Sequence, residues 1–81
     1  MFYYVYLIQS IQYPEMQYVG YTTNLKERLS THNSGGSFHT KKNRPWKLIM
    51  CSAFKNIDCA KEFEQYLKSQ SGRAFAKKRF W

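Results

Sequence analysis

An 81-residue chain with 43% hydrophobic and 19% aromatic residues suffices for one folded domain and is too apolar to stay disordered. A domain this small buries roughly 60% of the surface its unfolded chain exposes, so its core is thin. Thirteen Lys and Arg against five Asp and Glu leave a net charge of +8, which points first to nucleic acid and second to an anionic membrane surface.

The chain opens with FYYVYLIQ at residues 2–9, aromatic and β-branched, which predicts a strand. The same opening lacks a basic n-region and a small-residue cleavage site, and no apolar run approaches the roughly 20 residues that cross a bilayer. A cytoplasmic location without membrane attachment is therefore expected. Pro14 marks a loop, and QYVGYT from Gln17 resumes strand character, so the two strands form an antiparallel hairpin. Asn24 is a candidate N-cap, with Glu27 in the capping-box position. The helix runs to about His32 and ends in NSGGS, where Gly35 and Gly36 tolerate positive φ. FHTKKNRP reads as a short helix or a loop, closed by Pro45. WKLIMCSAF is the third strand, with Trp46, Leu48 and Met50 expected on one face. NIDCAKEFEQYLKSQSG is the second clear helix, with Asp58 as its cap and Gly72 as its stop, and RAFAKKRFW is a terminal helix or a docked tail. Cys51 and Cys59 make neither a disulfide framework nor a zinc site and read as reduced thiols. The order β-β-α-(α)-β-α-α predicts one α+β domain over 1–81: a small three-stranded antiparallel sheet flanked by helices.

Three polar groups point the wrong way for solvated residues. At about 100° per residue, Leu25 and Leu29 mark the buried stripe of the first helix, and Arg28 and His32 fall inside it. On the second helix Ile57, Ala60, Phe63 and Leu67 mark the apolar stripe, with Glu64 at its edge and Glu62 facing water. A buried carboxylate is expensive unless it meets a metal, a cation or a wet cleft. In the hairpin, strand alternation puts Tyr4 and Tyr6 on one face, and Tyr18 shares a face with Gly20. If those faces coincide, two phenols converge.

YVY at 4–6, YVG at 18–20, NLKERLSTH at 24–32 and EFEQYLKS at 62–69, in that order, resemble the GIY-YIG nuclease superfamily. The first motif has Tyr4 for its glycine, Val5 for its isoleucine and Tyr6 for its tyrosine; the second is Tyr18, Val19 and Gly20. The helix arginine of that family falls on Arg28, the histidine that follows it on His32, and the metal-binding glutamate on Glu64. The resemblance spans essentially the whole chain and is similar in detail to the small stand-alone bacterial members.

The resemblance implies a metal-dependent endonuclease that hydrolyses phosphodiester bonds, with DNA as the expected substrate and repair or recombination as the setting. Glu64 would hold one Mg²⁺ or Mn²⁺, largely hydrated. Arg28 would neutralise the scissile phosphate. Tyr6 and Tyr18 would position or deprotonate the attacking water, which requires a phenol pKa lowered from about 10 by Arg28 and the metal. His32 would hydrogen-bond a tyrosine or act as the base itself. Asn24 caps its helix and could touch the site. Lys41, Lys42, Arg44, Lys77 and Lys78 would follow the phosphate backbone, and a second copy or a targeting protein would add recognition. Plainer readings compete: an Arg28–Glu64 ion pair linking two helices, tyrosines that only pack the sheet, and a solvated cationic face. Trp46, Phe80 and Trp81 read as core before they read as base-stacking groups, and His39 reads as a loop histidine. The rival function is a module of the same fold that binds nucleic acid without cutting it.

Overall fold

The computed structural model describes all 81 residues. Strands β1 (Tyr3–Ser10), β2 (Gln17–Thr22) and β3 (Trp46–Phe54) form one antiparallel sheet in the order β2-β1-β3. Helix α1 (Leu25–Ser34) follows β2, a short 3-10 turn occupies Lys41–Asn43, and α2 (Ile57–Lys68) and α3 (Gln70–Arg79) follow β3. No helix is long and apolar enough to cross a membrane.

β1 is covered on both faces, which explains why Val5, Tyr6, Leu7 and Ile8 are all fully buried in succession. Val5 and Leu7 face α2 and α3 and join Ala60, Leu67 and Ala76 in the larger core. Tyr6 and Ile8 face the other way, with Trp46 and the half-buried Leu25, Leu29 and Tyr18. The fully buried residues of the larger core are all aliphatic, whereas the layer under α1 buries a phenol and an indole.

The expected face for Met50 is wrong. A bulge at Leu7/Ile8 puts Met50 opposite Leu7 and Leu48 opposite Ile8, leaving Ile49 as the extra residue on β3. Beyond that point the alternation of β3 is inverted, so Met50 packs with Ile49 on the α2/α3 side while Trp46 packs beneath α1.

The helix ends differ from the sequence expectation in a coherent way. Asn24 does cap α1: its side chain accepts the Glu27 N–H at 3.1 Å and donates to the Glu27 carboxylate at 3.2 Å. Gly35, at φ 85°, terminates α1 three residues beyond His32. The cap of α2 is Asn56, whose side chain accepts from the N–H groups of Asp58 and Cys59; Asp58 belongs to the first turn. α2 stops at Ser69, which also caps α3 by accepting the Gly72 N–H at 3.1 Å. Gly72 is thus inside α3 and not a stop. It is buried, and a Cβ there would collide with the Tyr66 carbonyl and the Leu67 backbone. Glycine is needed because two helix backbones meet at this corner. Cys51 and Cys59 are both free and exposed, as expected of reduced thiols.

Glycine to alanine inside a helix ordinarily stabilises by about 1 kcal/mol. Here the added methyl has only backbone to push against, and overpacking of that kind costs about 1–3 kcal/mol. Gly72→Ala is therefore expected to lower the urea midpoint with an unchanged slope; a raised midpoint would mean the α2–α3 corner has room to spare.

Candidate active site

The site grows out of the middle of β1. Tyr6 pairs across the sheet with Gly20, and a Cβ on Gly20 would land on the Tyr6 ring. The glycine lets the phenol lie across β2. Tyr18 stands opposite Ile8, one diagonal step away on the same face, and its ring centroid is 6.4 Å from that of Tyr6. The convergence of two phenols expected from strand alternation is therefore present.

α1 delivers His32 onto this pair. It is the one buried residue of the helix, with its ring 5.8 Å from Tyr6 and edge-on to Tyr18 at 5.2 Å. Its Nε2 lies 2.8 Å from the Tyr6 hydroxyl and its Nδ1 lies 2.7 Å from the Thr40 hydroxyl. Thr40 is fully buried, and its carbonyl accepts the Trp46 indole N–H at 2.8 Å. Asn33 then brackets the Trp46 backbone, accepting its N–H at 2.6 Å and donating to its carbonyl at 3.2 Å. Trp46 is core, not a base-stacking surface. This support, Thr40 and Asn33, is absent from the sequence reading; a threonine in a non-periodic loop gives no signal of its target.

Burial pushes the His32 pKa down, and the Arg28 charge adds to that. The ring is neutral at physiological pH, so one nitrogen donates and the other accepts. Either Tyr6 donates to Nε2 and Nδ1–H donates to Thr40, or Thr40 donates to Nδ1 and Nε2–H donates to Tyr6. Both arrangements satisfy every group, and no buried side-chain polar atom lacks a partner.

The expected lowering of the Tyr6 pKa is reversed in the protein alone. Burial, then Tyr18 and Glu64, push this phenol up to about 12, against a smaller opposing pull from Arg28. Removal from water outweighs one solvent-exposed guanidinium. Arg28 itself is exposed, not buried in the leucine stripe. A guanidinium without a carboxylate partner stays in water, at the rim of the site. The alternative Arg28–Glu64 ion pair does not form. Glu64, its side chain 17% exposed, pairs instead with Lys68 one turn along α2, at 3.3 Å.

Glu64 stands on α2, across the sheet from α1, and its charge reaches the Tyr6 hydroxyl; no group of three or more His, Cys, Asp or Glu exists in the protein. One hard oxygen ligand beside open solvent fits a largely hydrated Mg²⁺ or Mn²⁺ and does not fit a zinc centre. Asn24 spends its side chain on the α1 cap, and His39 is an exposed loop residue. The five cations expected to follow phosphates divide between layers. Lys41, Lys42 and Arg44 lie after α1 and line one concave patch. Lys77 and Lys78 are on α3, in the layer beyond the sheet. Lys77 lines a cleft with Tyr18, Lys68 and Arg73, while Lys78 does not. Phe80 and Trp81 pack against the larger core.

The family model described as the GIY-YIG catalytic domain matches residues 2–79. The structure-specific endonuclease subunit SLX1 of Debaryomyces hansenii is 39% identical over 74 residues, covering 83% of this chain and 21% of that protein. The UPF0213 protein YsiG of Lactococcus lactis is 40% identical over 67 residues, covering 82% of this chain and 62% of the relative. The chain thus spans about a fifth of that SLX1 subunit and under two thirds of YsiG. The solution structure of the UPF0213 protein BH0048 from Bacillus halodurans superposes with a TM-score of 0.57 at 31% identity, over 95% of this chain and 81% of that one. The fold it shares is the expected three-stranded sheet with helices.

The two perturbed groups give opposite pH signatures. Tyr6, with its pKa raised, contributes stability that is whole below about pH 10 and is lost as pH climbs towards about 12. His32, with its pKa lowered, contributes stability present above about pH 6.5 and lost as pH falls below it. The absorbance difference at about 295 nm between the native protein and Tyr6→Phe should therefore titrate near pH 12. The urea midpoint should decline on acidification below about pH 6.5, and less steeply in His32→Gln. A phenol difference centred near pH 10 would show that Tyr6 is solvated.

Proposed function

The chain belongs to the GIY-YIG nuclease family, and from that premise we propose that it is a metal-dependent endonuclease acting on DNA, in repair or recombination. The observation that carries the reading is the placement of Tyr6, Tyr18 and His32 in mutual contact, with the charges of Arg28 and Glu64 both felt at the Tyr6 hydroxyl.

His32 is 1% exposed and both its nitrogens are occupied, so it does not reach a substrate water directly. Of the two roles expected for it, positioning Tyr6 and taking its proton is the one this burial supports. A phenol with a pKa of about 12 is not a free phenolate at neutral pH. Tyr6 works instead as a relay. It is itself fully buried in the free protein, so the relay requires bound DNA to open a path beside the half-buried Tyr18: the Tyr6 oxygen then takes the proton of the attacking water while its own proton passes to the neutral Nε2 of His32. The new bond forms between the water oxygen and phosphorus, the bond from phosphorus to the leaving sugar oxygen breaks, and that oxygen keeps the electron pair and takes a proton from solvent. Tyr18 orients the water beside the Tyr6 ring. Arg28, exposed and without a carboxylate partner, meets the scissile phosphate with its planar fork of donors. Glu64 would hold the Mg²⁺ or Mn²⁺, which supplies charge neutralisation at the phosphoryl oxygens. Recognition of a particular DNA is proposed to come from a second copy or a targeting protein.

One observation favours the rival, a binding module that does not cut. The single metal-ligating carboxylate is already paired with an ammonium, which a cation must displace. Incubation with linear, flapped and single-stranded DNA and with RNA, in Mg²⁺ or Mn²⁺, separates the two. Cleavage should vanish in EDTA and fall on the order of 10²–10³-fold in Glu64→Gln, with DNA affinity retained. Tyr6→Phe should fall roughly 10²–10⁴-fold. Undiminished cutting by Glu64→Gln would sink the site; binding without cutting on every substrate would establish the rival.

A further inference from the structure

Phe38 is the most exposed aromatic of the protein, at 88%, and its only aromatic neighbour is His39, edge-on at 5.8 Å. Phe38, His39, Lys41, Lys42 and Arg44 together line a concave patch that contains no acidic residue. The segment that carries them is tied down on both sides. Thr40 is locked between His32 and Trp46, the Asn43 carbonyl accepts the Ser10 hydroxyl at 2.6 Å, and Arg44 lies against Gly35. Phe38 is two residues from Thr40, which touches the His32 of the candidate site. Two residues reach at most about 7 Å, which places the ring near Thr40, the residue that buttresses His32 from the side away from Tyr6.

A ring left in water by the fold, carried on a segment anchored at Thr40 and Asn43 and lined by cations, complements one chemistry closely: a flat nucleobase flanked by phosphates. Base–aromatic stacking tolerates any sequence, because every base has a π-face. In a continuous duplex both faces of each base are already covered by its neighbours, and exposing one costs a few kcal/mol. Resting on the nucleic-acid reading of the site, we propose that Phe38 stacks on an unpaired base while Lys41, Lys42 and Arg44 hold its phosphates. The loop thereby selects DNA in which a base has left the stack.

The test uses the full chain carrying Glu64→Gln, in EDTA, with two fluorescent DNA duplexes that differ by one bulged 2-aminopurine. The parent should bind the bulged duplex roughly 5- to 150-fold more tightly than the paired one and quench the 2-aminopurine. Adding Phe38→Ala should bring that ratio to about 1 without changing the salt slope, and Phe38→Trp should keep the ratio. Lys41→Ala should weaken both duplexes alike and reduce the salt slope by about 1. A Phe38→Ala protein with an intact ratio, or one that loses only self-association in sedimentation, overturns the proposal. Binding needs no cleavage here, so an inactive wild-type protein would defeat the nuclease reading alone. Failure to bind either duplex would defeat both.

Discussion

The hydrogen bond from the Tyr6 phenol to His32 is the contact on which the rest of the site depends. It joins the centre of β1 to α1 in a layer with little hydrocarbon to hold it. A buried phenol or imidazole without a partner costs about 1–3 kcal/mol. Tyr6, His32 and Thr40 therefore satisfy one another or the layer opens. The bond fixes the phase of α1, which in turn sets where Arg28 stands. Through Thr40 it also fixes the loop that follows. Geometry at a functional centre and cohesion of a thin layer are here one set of hydrogen bonds.

The two faces of the sheet divide the work. Val5, Leu7, Ala60, Leu67 and Ala76 supply a dry core beneath α2 and α3, where each fully buried large side chain contributes about 1.5–3 kcal/mol. That layer can carry the stability because nothing reactive sits in it. The opposite layer can then keep a phenol, an indole and an imidazole inside and an arginine at its rim. In a domain with so small a core, this division lets the reactive face stay polar.

Periodicity made much of this legible. The order of elements, the convergence of Tyr6 and Tyr18 and the inward turn of His32 all follow from periods of 2 and 3.6, which any window of sequence carries. What was not legible belongs to pairs of elements. The bulge that inverts Met50 is a property of the β1–β3 register, not of either strand. Gly72 marks a close approach of two helices, and the same residue type as a helix stop looks identical in one dimension. Thr40 lies in a loop without a period, so its partner His32 emerges only when the chain folds back. The pKa of Tyr6 went the opposite way because burial, invisible in sequence, outweighs the one charge that was visible.

The distribution of charge follows from the same economy of acids. Thirteen cations share a single ion pair, Glu64 with Lys68. Excess like charge destabilises the compact state by self-repulsion, and the fold keeps it nonetheless. Lys41, Lys42 and Arg44 gather after α1, and Lys68, Arg73 and Lys77 gather on the α2/α3 layer. A polyanion bound at either group would relieve its repulsion. Repulsion carried by the free protein would then add to the driving force for binding such a polyanion.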